Sequence, residues 1–87
     1  MTIQDSQIRD ELLRQVEARG ADKSICPSEV ARALAPEWRG LMSRIRAIAI
    51  DLSREQRIDI LRKGNPVEPD AVKGVVRLRT RSGVVFG

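Results

Sequence analysis

The side chains with the clearest chemical potential are arginines in the second half of the chain. Arg77, Arg79 and Arg81 recur at every second residue, so a regular strand places these three guanidinium groups on one face. Guanidinium and ammonium groups bind phosphates and read guanine edges in the major groove of DNA. We therefore predict contacts with nucleic acid from one set of residues: Arg39, Ser43, Arg44, Arg46, Lys73, Arg77, Arg79 and Arg81.

Two other interpretations of these arginines stay open. Those on the helix are equally expected on a solvated polar face, since charged side chains are mostly exposed. Those on the strand can instead pair with Asp59, Glu55 or Asp51. Glu68 and Asp70 also place negative charge where a loop would meet a phosphate backbone, and this weighs against a duplex partner.

Catalytic and metal chemistry have little support in this composition. The chain has no histidine and one cysteine, Cys26, so one chain can assemble neither a structural zinc site nor a thiol–imidazole nucleophile. The carboxylates are scattered among basic residues and form no evident acid–base pair. We expect no enzymatic activity, no cofactor and no metal. A redox role for Cys26 at the start of a helix remains an open alternative.

Three helices are predicted to position the arginines. Ile8, Leu12 and Val16 recur at helical spacing and predict a helix over residues 7–18, capped by Ser6. Pro27 suits the first turn of a second helix, which Pro36 ends. Apolar residues spaced by three and four from Glu37 onward predict a third helix of about 15–18 residues. Trp38 is expected to anchor it in the core.

Two alternating runs predict strands after the third helix. In residues 57–62, Ile58 and Ile60 point inward and Leu61 points outward, and residues 75–80 alternate likewise. Pro66 and Pro69 lie between the runs, and we expect them to exclude regular structure there. Ile25 is expected to add a very short strand at the edge of the hairpin.

The order of elements predicts an α+β fold of the winged-helix class. A three-helix helix-turn-helix core is followed by a two-stranded β-hairpin wing. We place this single domain at residues 6–81 and expect flexible termini at 1–5 and 82–87.

Several short motifs also resemble those of an uncharacterised bacterial domain of unknown function. The resemblance covers roughly residues 8–79, and its most specific part is the Gly-x-Pro-Val-x-Pro loop followed by Arg-Leu-Arg. The family is similar to small winged-helix proteins, and it implies no activity, cofactor or catalytic residue. Gln56 departs from the glycine expected at the helix-to-strand corner, where a left-handed backbone would strain it. The motifs are Cys26-Pro27-Ser28-Glu29-Val30-Ala31-Arg32-Ala33-Leu34, Trp38-Arg39 with Leu41-Met42, Gly64-x-Pro66-Val67-x-Pro69 and Gly74-x-x-Arg77-Leu78-Arg79.

Charge favours double-stranded DNA as the partner. The net charge is +4, and residues 37–87 carry eleven Lys and Arg against six Asp and Glu. Single-stranded nucleic acid is disfavoured because the only aromatic residues are Trp38 and Phe86. The alternative is a protein-interaction module or homodimer, motivated by Ile50, Leu61 and the apolar residues 84–86. We expect no membrane segment and no signal peptide, and therefore a cytoplasmic protein.

Overall fold

A computed structural model of the chain describes residues 3–81 and has an α+β architecture. Within these residues, three α-helices precede a three-stranded antiparallel sheet, an order compatible with a winged-helix-like arrangement. The apolar residues 84–86 and the terminal segment 82–87 lie outside the described part. The elements are α1 (Asp5–Arg19), α2 (Pro27–Leu34), a 3₁₀ helix (Trp38–Leu41), α3 (Met42–Arg54), β1 (Ile58–Arg62), β2 (Asn65–Val67), a second 3₁₀ helix (Pro69–Ala71) and β3 (Arg77–Thr80).

The first helix follows its apolar spacing. Ile8, Leu12 and Val16 are fully buried, as a stripe facing the core predicts. The predicted cap at Ser6 is wrong, because the helix begins earlier and its N-cap is Gln4. The Gln4 N–H donates to the Gln7 side chain at 2.8 Å, and this bond satisfies the backbone group just before the helix.

The apolar spacing predicted one continuous third helix from Glu37, and this prediction is wrong. Residues Trp38–Leu41 form a 3₁₀ turn, and the α-helix starts only at Met42. Gly40 has poor helix propensity and lies in this turn, and 3₁₀ turns are common at helix starts. The tighter turn leaves Trp38 packed against the core but only half-buried.

The sheet has three strands rather than the predicted two, in the order β2-β1-β3. The segment predicted to lack regular structure contains β2 and the second 3₁₀ helix, so that prediction is wrong. Pro66 is tolerated because β2 is an edge strand that pairs only with β1. Ile25 exchanges two 2.8 Å backbone hydrogen bonds with Leu78, which confirms the short bridge expected at the other edge.

A two-residue turn joins β1 to β2. Arg62 pairs with Asn65, and the two residues between them both have positive φ, 53° at Lys63 and 83° at Gly64. This is the backbone of a type I′ turn, whose twist matches that of the flanking strands. The turn therefore holds the Lys63 side chain at the tip of the hairpin.

Two apolar residues without a predicted place are covered by the fold. Ile50 is half-buried and packs against the core. Leu61 was expected to point outward into solvent, but it is only 6% exposed. It lies opposite Arg77 in the β1–β3 register, and both line a cleft near the turn. The outward face of the sheet is thus partly covered by the chain itself.

None of the helices in the described part of the chain is both long and apolar enough to span a bilayer.

Gln56 adopts the left-handed backbone that the corner was suspected to require, with φ of 64°. We expect Gln56→Gly to raise the free energy of unfolding by about 0.5–1 kcal/mol, because glycine carries no Cβ penalty in this conformation. Ala47→Gly, at an exposed position in the middle of α3, should lower it by about 1 kcal/mol. Urea denaturation of both variants measures the two changes, and a loss of stability in Gln56→Gly would contradict strain at the corner.

Candidate nucleic-acid interface

Three of the predicted arginines form salt bridges with carboxylates of the same chain. Arg79 and Arg81 approach the two oxygens of Asp59 at 3.2 and 3.4 Å, and Arg44 approaches Asp5 at 2.6 Å. The Asp59–Arg79 contact is the cross-strand pair expected from their facing positions in the register. The carboxylate offsets the charge of each of these arginines, so each attracts a phosphate less strongly than an unpaired cation does.

Three further arginines, outside the predicted set, are also ion-paired. Arg9 pairs with Glu55, Arg14 with Glu11, and Arg54 with Asp70. The Arg54–Asp70 salt bridge links the second 3₁₀ helix to α3. Because Arg54 compensates its charge, Asp70 does not add an unpaired negative charge to the loop.

The segment after β2 lies along α3 and covers part of the side predicted to face a groove. The second 3₁₀ helix contacts α3, and Arg46 donates a 2.8 Å hydrogen bond to the carbonyl oxygen of Gly74. Ile50 lies one turn beyond Arg46 on the same side of the helix. Only the amino-terminal part of that side, around exposed Ser43, stays open.

Arg39 lies against the ring of Trp38. Its guanidinium carbon lies 4.6 Å from the ring centroid, and that of Arg32 lies 4.7 Å from the same centroid. Such cation–π contacts hold a guanidinium in place without neutralising its charge. Arg32 and Arg39 thus keep their positive charge beside the start of α3.

Several cations lie beside Gly74 or line the cleft next to it, and we call them the Gly74 cluster. Arg46 bonds the Gly74 carbonyl, and a Cβ on Gly74 would lie 3.8 Å from the Arg62 guanidinium. Arg62 and two other cations line one cleft beside this residue. The cluster consists of Arg46, Arg62, Lys63, Lys73 and Arg77.

The Gly74 cluster keeps its charge uncompensated. None of its five members makes a salt bridge to a carboxylate within residues 3–81. Arg46 donates to a backbone carbonyl, and Arg77 donates to the hydroxyl and carbonyl oxygens of Ser24 at 2.8 and 3.1 Å. These acceptors are neutral, so they orient the guanidinium groups and leave the positive charge for an external anion.

Residue spacing predicted only part of this cluster. Arg46, Lys73 and Arg77 belong to the predicted set, whereas Arg62 and Lys63 were missed. Their signal was the pair Lys63-Gly64 directly after the alternating run 57–62, because a two-residue turn with glycine is typical of a hairpin. Reading that turn would have placed both cations at its tip.

The Arg9–Glu55 pair gives the stability a pH dependence. Two hydrogen bonds from Arg9, at 2.6 and 3.1 Å, hold the pKa of the Glu55 carboxyl below its ordinary value of 4.5. Above pH 4.5 the carboxylate is charged in both states and the pair contributes fully. As the pH falls through 4.5 toward the folded-state pKa, the unfolded chain takes up the proton first and the contribution is lost.

We therefore expect the free energy of unfolding to decrease as the pH is lowered below about 4.5. Glu55→Gln should weaken that pH dependence. Arg9→Gln should weaken it similarly, because it removes the donor from the same pair. Thermal unfolding scans at intervals of about half a pH unit between pH 3 and 6 measure the pH dependence of stability in both variants. An unchanged slope in Glu55→Gln would contradict the assignment.

A family model for proteins of unknown function matches residues 5–81, which span α1 to the end of the sheet. The chain belongs to this family, DUF3253. The match includes each motif that carried the resemblance, from Cys26 to Arg79, and every residue of the Gly74 cluster. A comparison with curated proteins finds no significant match. Membership of the family therefore assigns no activity to this DUF3253 domain.

Proposed function

We propose that this domain is a winged-helix protein that binds double-stranded DNA through the Gly74 cluster and the start of α3. One observation carries the proposal, namely that several unpaired cations lie close together in the Gly74 cluster. Six arginines are ion-paired elsewhere, while the five cations of the Gly74 cluster, from α3, the end of β1 and its turn, and the start of β3 with the segment before it, have no carboxylate partner within residues 3–81. Phosphates are the anions that such a surface attracts along a duplex.

The winged-helix assignment is supported by the topology of the sheet edge. The bridge at Ile25 lies beside β3, and β3 lies beside β1, so the strand before α2 joins the hairpin that follows α3. The connection from β1 to β3 then corresponds to the wing, and β2 is an added hairpin within it. In this arrangement the wing and α3 meet at Gly74.

The duplex is expected to contact the two exposed ends of this surface. Ser43 and Arg39 lie at the amino-terminal side of α3, and Lys63 lies at the tip of the turn. The contact is mainly with phosphates, because the segment after β2 covers the next turn of α3 and limits entry into a groove. We therefore propose binding with weak sequence preference.

The alternative of a protein-interaction module has less support. Two of its three motivating features, Ile50 and Leu61, pack within the domain. Val75 is 87% exposed, but a single side chain is much smaller than the contiguous apolar patches that mark protein interfaces. Duplex binding is therefore the function that we propose.

The test is an amide chemical-shift titration of the isotope-labelled protein with a duplex of random sequence. At low salt we expect shifts confined to residues 39–47, 62–64 and 72–77, and smaller shifts as salt rises. Residues of α1 serve as an internal control, because Arg9 and Arg14 are ion-paired there. No shifts at low salt, or shifts that ignore salt, would contradict duplex binding.

A further inference from the structure

A cleft of about 380 Å³ opens beside the β1–β2 turn, and we call it the turn cleft. It lies between the turn and the first residues of β3. Its volume falls within the range of small-molecule sites, about 300–1,000 Å³. Its lining residues are Ser24, Leu61, Arg62, Lys63, Gly64, Val75 and Arg77.

The turn cleft differs in charge from two larger clefts among the described residues. Those clefts, of about 630 and 420 Å³, are lined by both arginines and carboxylates. The turn cleft is lined by Arg62, Lys63 and Arg77, and no carboxylate lines it. None of these three cations makes a salt bridge within the described residues. The site therefore lacks an internal counter-charge.

One of the three cations is already oriented. Ser24 accepts from Arg77 Nε at 2.8 Å through its hydroxyl and from Nη2 at 3.1 Å through its carbonyl. These two bonds set the plane of the guanidinium, and Nη1 has no hydrogen bond within residues 3–81. A donor that is held before a ligand arrives lowers the ordering cost of binding.

The same cleft has an apolar wall. Leu61 is 6% exposed and borders the cleft, while Val75 is 87% exposed and is the one large apolar side chain so exposed among residues 3–81. A ligand resting on Val75 would remove that side chain from water. The turn cleft thus pairs a cationic side with an apolar side, and this combination selects an anion that carries an apolar body.

We propose that the turn cleft binds a small phosphate monoester with an apolar body. The three terminal oxygens of the phosphate face Arg62, Lys63 and Arg77, and the body lies against Leu61 and Val75. A carboxylate offers two oxygens for three cations and fits less well. This proposal does not depend on duplex binding, and a ligand in the cleft would occupy cations that the proposed duplex surface also uses.

Phenyl phosphate, benzoate and inorganic phosphate are the probes, titrated into the isotope-labelled protein without nucleic acid. We expect phenyl phosphate to shift the amides of residues 61–64 and 75–77, and to bind about tenfold more tightly than either of the other two. Val75→Ser should reduce the advantage over inorganic phosphate and leave the affinity for inorganic phosphate unchanged. Val75 is exposed, so the fold should tolerate the exchange.

Arg62→Gln/Lys63→Gln should weaken phenyl phosphate binding at least about tenfold. Arg57→Gln/Lys23→Gln is the matched control, because it removes two exposed cations outside the cleft and should change little. If both double variants lost the same affinity for phenyl phosphate, net charge alone would explain binding and the proposal would be overturned. Equal affinity for phenyl phosphate and inorganic phosphate would overturn it as well, since the apolar wall would then contribute nothing.

Discussion

The triple variant Arg62→Gln/Lys63→Gln/Lys73→Gln is expected to bind duplex DNA on the order of a hundredfold more weakly at about 0.1 M salt. Each phosphate contact releases counterions and adds about 0.9 to the slope of log K against log salt. Loss of three contacts should therefore reduce that slope by about 2.7 and leave weak residual binding through the other arginines. Fluorescence anisotropy of a labelled duplex across a salt series measures the affinity and the slope together.

A second triple variant, Arg19→Gln/Lys23→Gln/Arg57→Gln, is the matched control for this prediction. It removes the same charge from three exposed cations that lie outside the Gly74 cluster and make no salt bridge within residues 3–81. Exposed substitutions of this kind should change stability by no more than about 0.5 kcal/mol each, so both variants should fold. If the two triple variants lost affinity equally, net charge would explain binding and the Gly74 cluster would have no special role.

The second large effect concerns the core at the edge of the sheet. Leu78→Ala is expected to lower the free energy of unfolding by about 3 kcal/mol, because truncation of a fully buried leucine loses its transfer energy and leaves a cavity. Leu78 also faces Ile60 across the β1–β3 register, and its backbone bridges to Ile25. In a domain of this size the loss should lower Tm by roughly 12–24 °C.

Val75→Ala is the control for this substitution, since Val75 lies three residues earlier and is 87% exposed. It should change the free energy of unfolding by less than about 0.5 kcal/mol. Urea and thermal denaturation, followed by circular dichroism, measure both variants. A cost below about 1 kcal/mol for Leu78→Ala would contradict its place in the core.

The helices were largely predictable because their information is local. The stripe of Ile8, Leu12 and Val16 has the period of an α-helix, and burial of one face of that helix follows from the period alone. Proline at position 27 and glycine at position 20 mark a start and an end by their backbone chemistry. The 3₁₀ turn before Met42 was missed, because the apolar spacing of three and four suits either kind of helix over so few residues.

The added strand was missed because its sequence argues against a strand. Pro66 removes a donor, and only the position of β2 at the edge of the sheet makes that loss acceptable. The order of strands in a sheet depends on which segments meet in space. The composition of one segment therefore does not show whether it lies at the edge of the sheet. The left-handed Gln56 was suspected from its place between helix and strand, and the backbone confirms it.

Tertiary contacts decided which arginines of distant segments are paired with a carboxylate. Arg44 meets Asp5 across 39 residues of chain, and Arg9 meets Glu55 across 46. By residue type these arginines are equivalent to Arg46 and Arg62, which keep uncompensated charge beside Gly74. Ion pairs form between side chains that the fold brings within a few ångströms, since screening weakens longer contacts.

By itself, the sequence of this protein determined an α+β domain with an aliphatic core and an excess of positive charge in its second half. Those features follow from composition and from periods of two and 3.6 residues, which are local. Only the tertiary structure decided where that charge is available. Packing of the segment after β2 along α3 places Gly74 beside Arg46 and Arg62, and distant carboxylates pair with several other arginines, such as Arg44 and Arg79. The candidate site is therefore a product of the fold, because it is built from segments that the chain keeps far apart.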